Sequence, residues 1–167
     1  MSIAQADFQR WVMDHGPALF RMAYRMMGDR HEAEDIVQEA FRSAWKSRKS
    51  YDSARGERAW LASILRRRVV DHWRRGANVQ LLPTEHPPEP AIPPHDPLAN
   101  DYTDEMQQAL ARIPQDLKET LLLVVVAELT HQEAADLLGI PIGTVLSRVS
   151  RARARLRESL MAIAEKE

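Results

Sequence analysis

Five arginines crowd one stretch near the C-terminus: Arg148, Arg151, Arg153, Arg155 and Arg157. A guanidinium is permanently charged, and its planar fork fits phosphate oxygens or the edge of guanine. Such a cluster points to nucleic acid. A second set, Arg66-Arg67-Arg68 and Arg74-Arg75, flanks His72 and Trp73, and a third places Lys46, Arg48 and Lys49 beside Tyr51. Cations with a nearby aromatic suit a single strand, whose phosphates are neutralised while an unstacked base is held. Nothing comparable points to catalysis. His31-Glu32-Ala33-Glu34-Asp35 offers ligand-type side chains, yet no second histidine follows at the spacing a zinc-protease helix needs. The six histidines are scattered, and there is no Gly-rich phosphate loop, no triad and no cysteine. No enzyme activity, metal or cofactor is expected.

These groups need elements to hold them. Thr130-His131-Gln132-Glu133 has the form of a capping box, followed by Ala134, Ala135, Leu137 and Leu138 on one apolar face. Gly139 supplies a positive-φ stop, Ile140 an apolar plug and Pro141 the opening of a further helix. That helix carries its apolar stripe at Val145, Val149, Ala152, Leu156 and Leu160. Short helix, glycine turn and longer second helix make a helix-turn-helix, whose second helix presents its N-terminal residues to base edges. Thr144, Ser147, Arg148 and Arg151 are placed to read bases, and later arginines such as Arg153 to meet phosphates. Upstream, Met106, Leu110 and Ile113 predict a short helix stopped by Pro114. Leu121 to Ala127 contains three successive valines of β propensity but has no second strand to pair with, so a buried helix is expected.

The N-terminal part reads as a bundle of three or four helices. Leu19, Met22, Ala23, Met26 and Met27 follow helical spacing after Pro17 and before Gly28. Asp29-Arg30-His31-Glu32 resembles a capping box, and Ala33, Ile36, Val37, Ala40, Phe41 and Ala44 continue one face. The same helix carries Glu32, Glu34, Asp35, Gln38 and Glu39, an acidic surface for a protein partner or for solvent. Lys46 to Gly56 reads as a loop. Leu61, Leu65, Val69 and Trp73 mark a helix ending near Gly76.

Net charge is −1, but it is unevenly spread: +5 over residues 1–76, −3 over 77–100 and −3 over 101–167. Clustered charge governs phosphate binding more than the total does. Seven of the ten prolines lie between Pro83 and Pro97, so residues 77–100 are expected to form an extended linker, reaching roughly 70 Å in polyproline-like form. No signal peptide is expected, because Gln5, Asp7 and Arg10 interrupt any apolar run. Nor is membrane insertion expected, since the apolar stretch from Leu121 to Ala127 is far too short to span a bilayer. The absence of cysteine fits a reducing cytosol.

Glu34-Asp35-Ile36-Val37-Gln38-Glu39-Ala40-Phe41 followed by Ala44-Trp45 resembles the polymerase-binding helix of extracytoplasmic-function sigma factors. Ala59-Trp60-Leu61, Ile64, Arg66, Asp71 and Arg74-Arg75 resemble that family's −10 promoter helix. Leu138-Gly139-Ile140-Pro141-Ile142-Gly143-Thr144-Val145, Ser147-Arg148 and Arg151-Ala152-Arg153 resemble its −35 reading helix. The likeness covers nearly all of residues 8–161, in the family's order. It implies an all-α chain of two small helical domains, a region 2-like unit at 1–76 and a region 4-like unit at 101–167, joined by the linker. It implies that Asp35, Gln38, Glu39, Phe41 and Trp45 meet the β′ clamp of core RNA polymerase. Lys46, Arg48, Lys49, Tyr51 and Arg55 would capture a flipped base of the −10 element, with Arg66, Arg67, His72 and Arg74 on the duplex edge or opened strand. Thr144, Ser147, Arg148, Arg151 and Arg153 would read the −35 element. The β flap, promoter DNA and an anti-sigma factor are the further partners implied, and the cytoplasm the location. Three positions depart from the family's habit: Arg67 stands where Asn is common, Leu146 where Lys is usual and His131 where Tyr is frequent. The alternative is a stand-alone helix-turn-helix regulator, which leaves the acidic helix, basic loop and linker without a task.

Overall fold

The computed structural model describes residues 3–79 and 104–166, and among these it holds seven α-helices and no strand. The first unit comprises α1 (Gln5–Met27), α2 (Arg30–Lys46) and α3 (Glu57–Val79). The second comprises α4 (Asp104–Ala111), α5 (Gln115–Val125), α6 (His131–Leu138) and α7 (Ile142–Ala164). Apart from the end of α3, the expected linker at 77–100 lies outside the described residues.

Pro17 does not open α1 but sits inside it. A proline there removes one backbone hydrogen bond, and burial of the preceding half-helix offsets the loss. Trp11 is 5% exposed, and Phe8 packs against the same core. The helix stops at Gly28, whose φ of 74° suits a residue without a Cβ and whose N–H donates to the Tyr24 carbonyl. Asp29 then accepts from the Glu32 N–H at 2.9 Å and starts α2. The buried face of α2 is made of Ala33, Ile36, Ala40 and Ala44, mostly small residues that let α1 and α3 approach closely on either side. Met22, Leu61, Leu65 and Val69 fill the space between them, each nearly inaccessible to water. α3 passes through Gly76, its expected end, and reaches Val79. A helical glycine costs only ~1 kcal/mol relative to alanine.

In the second unit the valine run ends α5 as a helix. Leu117, Leu121, Leu122 and Leu123 are buried, Val124 is half-buried and Val125 is 51% exposed. Packing of the leucine face against α7 therefore overrides strand propensity. The turn into α6 needs one positive-φ residue, Glu128 at 57°. The Thr130 hydroxyl accepts from the Glu133 N–H at 3.1 Å, and the Glu133 carboxylate accepts from the Thr130 N–H at 2.8 Å, completing the capping box. Gly139, with φ of 66°, ends α6, and Pro141 stands just before α7 as its N-cap residue. α7 buries Val145, Val149 and Ala152.

The two units share one apolar cluster, with α1 against α5 and α3 against α6. Polar ties cross the seam: Arg25 donates to Gln107 at 3.0 Å, and Gln107 donates back to the Arg25 carbonyl at 3.3 Å. Arg58 lies 3.6 Å from the Glu128 carboxylate. Replacing Thr130 by Ala should remove half of the capping box and cost ~1 kcal/mol. A lowered urea midpoint at unchanged m value is the expected signature, with Thr130→Ser close to the parent.

Candidate nucleic-acid interface

The basic loop between α2 and α3 is ordered by its own side chains. It contains two single 3-10 turns, Arg48–Ser50 and Ser53–Arg55. The Ser47 and Ser50 hydroxyls donate to the Ser43 and Ser47 carbonyls, each at 2.7 Å, and Asp52 accepts from the Ala54 N–H at 3.0 Å. Tyr51 is half-buried, with its ring packed against the core. Its ring packs edge-on against Trp11 and Trp60, with centroids 4.8 and 5.2 Å away. Burial pushes its phenol above the usual pKa, with smaller contributions from the Glu57 and Asp52 carboxylates. Arg48 is also engaged: its guanidinium lies 3.9 Å over the Trp45 ring and donates to the Trp45 carbonyl at 2.8 Å. Lys46, Lys49 and Arg55 are left exposed on the outer side of the loop.

The α3 candidates divide between two faces. Arg67 and Arg74, two turns apart, are exposed together. Arg66 instead pairs with Glu119 of α5, which is 7% exposed. His72 Nε2 lies 3.6 Å from a Glu32 oxygen. Arg68 lies 3.5 Å from Glu39 and 3.7 Å from Asp71. Glu39, an expected polymerase contact, is thus turned partly toward α3, while Asp35 and Gln38 remain exposed on α2.

Beside Gln38 runs an open groove of ≈ 500 Å³ lined by Phe8, Val12, Gln38, Phe41, Arg42, Trp45 and Lys46. Phe8 stacks edge-on against Phe41 at 6.2 Å and lies 5.0 Å from Trp45. The structure therefore brings Gln38, Phe41 and Trp45 together and adds Phe8 and Val12, which the sequence reading left out. The signal was present in Phe8, Trp11, Val12 and His15, at helical spacing, but Pro17 suggested that the helix begins later.

On α7, Ser147 and Arg151 are exposed, as is Arg153. Thr144 is half-buried, and so is Arg148, whose Nε lies 3.9 Å from Asp116 of α5. Arg151 donates to the Ser147 carbonyl at 3.4 Å. Gly143, Ser147 and Ser150 are exposed on the side away from the core, with the exposed Leu146 on its flank. Among the described residues no group of three or more His, Asp or Glu is placed to hold a metal ion. No described helix is long and apolar enough to cross a membrane.

Two helical units, one a helix-turn-helix whose second helix exposes polar and basic side chains, have the architecture of a DNA-binding transcription factor. Residues 11–79 match the family model for sigma-70 region 2, and residues 103–156 that for sigma-70 region 4. The chain is 33% identical over 164 residues to the RNA polymerase sigma factor NccH of Alcaligenes xylosoxydans xylosoxydans, covering 92% of this chain and 88% of that one. It is 31% identical over 166 residues to the extracytoplasmic-function (ECF) sigma factor SigE of Mycolicibacterium smegmatis, covering 93% of this chain but spanning 63% of the relative's length. Its fold superposes on the sigma factor RpoE of Bartonella quintana, solved with the anti-sigma factor NepR, with a TM-score of 0.78 at 32% identity, over 93% of this chain and 97% of that one. The chain belongs to the ECF sigma factors of bacterial RNA polymerase.

Substitutions at two positions test this geometry. Tyr51→Ala should cost about 3 kcal/mol through loss of ring packing and disorder the loop, whereas Tyr51→Phe should keep both, as read by thermal melts and amide exchange. Glu119→Gln should weaken the seam by ~1–2 kcal/mol, less than a fully buried pair because Arg66 is partly solvated. Small-angle scattering should then show a larger radius of gyration, and a single-stranded −10 oligonucleotide should bind more tightly.

Proposed function

We propose that this chain carries core RNA polymerase to promoters, reading a −10 element with its first unit and a −35 element with its second, without being an enzyme itself. One observation supports this above the rest. Three sets of exposed side chains can be told apart: cations on the loop with α3 (Lys46, Lys49, Arg55, Arg67, Arg74), cations on α7 (Arg151, Arg153, Arg155, Arg157), and Asp35 and Gln38 on α2, where Gln38 borders the apolar groove. A factor that binds polymerase and two promoter elements needs three such surfaces.

In this reading Asp35 and Gln38 face the β′ clamp, Phe41 and Trp45 floor the apolar groove beside them, and Glu39 contributes from its flank. The second unit would sit near the β flap. Lys46, Lys49 and Arg55 draw the phosphates of the non-template strand over the loop that Tyr51 and Arg48 hold in shape. Arg67 and Arg74 contact the duplex edge directly, while His72, turned toward Glu32 of α2, contributes from another face of the helix. Arg66 joins them only after leaving Glu119, because one guanidinium cannot serve both anions at once. On α7, Ser147 and Arg151 read bases, while Arg153, Arg155 and Arg157 meet phosphates. Thr144 and Arg148 support them from the half-buried flank. An anti-sigma factor, as in the Bartonella quintana complex, is the expected regulator, and the cytoplasm the site of action.

Run-off transcription with purified core polymerase and a promoter library tests the whole. A promoter-specific transcript that depends on the chain is expected. DNA binding without any specific transcript would favour a stand-alone regulator. In the same assay Asp35→Lys should abolish polymerase binding while leaving the fold intact by circular dichroism. Arg151→Ala should weaken −35 binding by ~1–3 kcal/mol and relax preference at one base pair. Arg155→Ala should instead weaken all sequences alike and lower the salt slope by about one.

A further inference from the structure

We propose that Leu146, supported by Ile142 one turn earlier, reads the 5-methyl group of a thymine in the −35 element. This rests on the reading that α7 enters the major groove.

α7 has its core side at Val145, Val149 and Ala152. Leu146 does not belong to that side: it is 50% exposed, and Ile142 is 42% exposed. Both stand at the start of the helix, where a reading helix meets base edges, and Leu146 flanks the exposed Gly143, Ser147 and Ser150. A large aliphatic side chain held in water among arginines gains nothing from solvent and cannot bind a phosphate. The group it matches in the major groove is the thymine methyl, the apolar feature that separates T from the other bases there. Gly143 adds a second observation. A Cβ built on it would meet nothing within 4 Å, so the chain does not need a glycine there for its own packing. Its bare backbone leaves room for close approach of the duplex beside Leu146. Ser147, the next residue, supplies a hydroxyl for the neighbouring base, and Arg151, one turn on, a guanidinium. The face is thus an apolar reader bordered by polar ones rather than a purely basic ridge.

Deoxyuridine differs from thymidine only by that methyl, which makes it the probe. The full chain bound to core polymerase first selects its −35 element from randomised duplexes. Each thymine of the selected element is then replaced in turn by deoxyuridine and binding is measured. At one position the parent chain should bind the thymidine duplex about fourfold more tightly, the worth of one buried methyl. Leu146→Ala should bind both duplexes equally at that position while keeping its other base preferences. Leu146→Lys should also lose the distinction, and its salt dependence should steepen by about one phosphate contact. Sequence-specific selection with no thymidine preference at any position would overturn the role of Leu146 and leave the reading of α7 standing. Retention of the preference in Leu146→Ala would overturn it too, as would a loss of polymerase binding rather than of methyl discrimination. Absence of any sequence-specific −35 selection would remove the reading of α7 and this inference with it.

Discussion

A carboxylate taken out of water must be met by a cation or by donors, because its desolvation costs several kcal/mol. Glu119 is such a carboxylate. It lies 7% exposed on α5, at the seam between the two units, and Arg66 of α3 pairs with it. That pairing joins the two units across their shared apolar cluster. Around it the seam is completed by Arg25 with Gln107 and by Arg58 with Glu128, and α1 meets α5 while α3 meets α6. Arg66 sits on the helix that also bears the exposed Arg67 and Arg74, so the pairing commits one cation of that helix to the seam.

The loop between α2 and α3 shows how a short basic segment acquires a shape. Its sequence is polar, and its own hydrogen bonds are local. What anchors it is the wedge of Tyr51 between Trp11 and Trp60 and the stacking of Arg48 on Trp45. These contacts draw on three helices, so loop geometry is tied to the packing of the whole first unit. Lys46, Lys49 and Arg55 are the cations of this segment left exposed.

α7 is positioned by backbone chemistry instead. A capping box, a positive-φ glycine and a proline set where α6 ends and α7 begins. The register of α7 follows from Val145, Val149 and Ala152. Once these three are inside, Gly143, Leu146, Ser147 and Ser150 must be outside, and Arg148 must turn toward Asp116 on the flank.

Much of this was legible in the residues alone. Helical periodicity, caps and turn glycines are local, so the all-α class, the helix-turn-helix and the helices around Gly28 and Gly139 could be read directly. The ordered motifs likewise carried the family. The sequence could not say that α1 runs through Pro17, since the compensating burial of Trp11 and Phe8 comes from other helices. Nor could it sort the arginines, which look alike in a row of letters: Arg48 stacks on Trp45, Arg66 neutralises Glu119, and Arg67 and Arg74 face solvent. Local preference determined where helices begin and end. Tertiary structure decided which charges are spent on the fold and which are left exposed, because an ion pair or a cation over a ring requires a partner that sequence distance does not reveal.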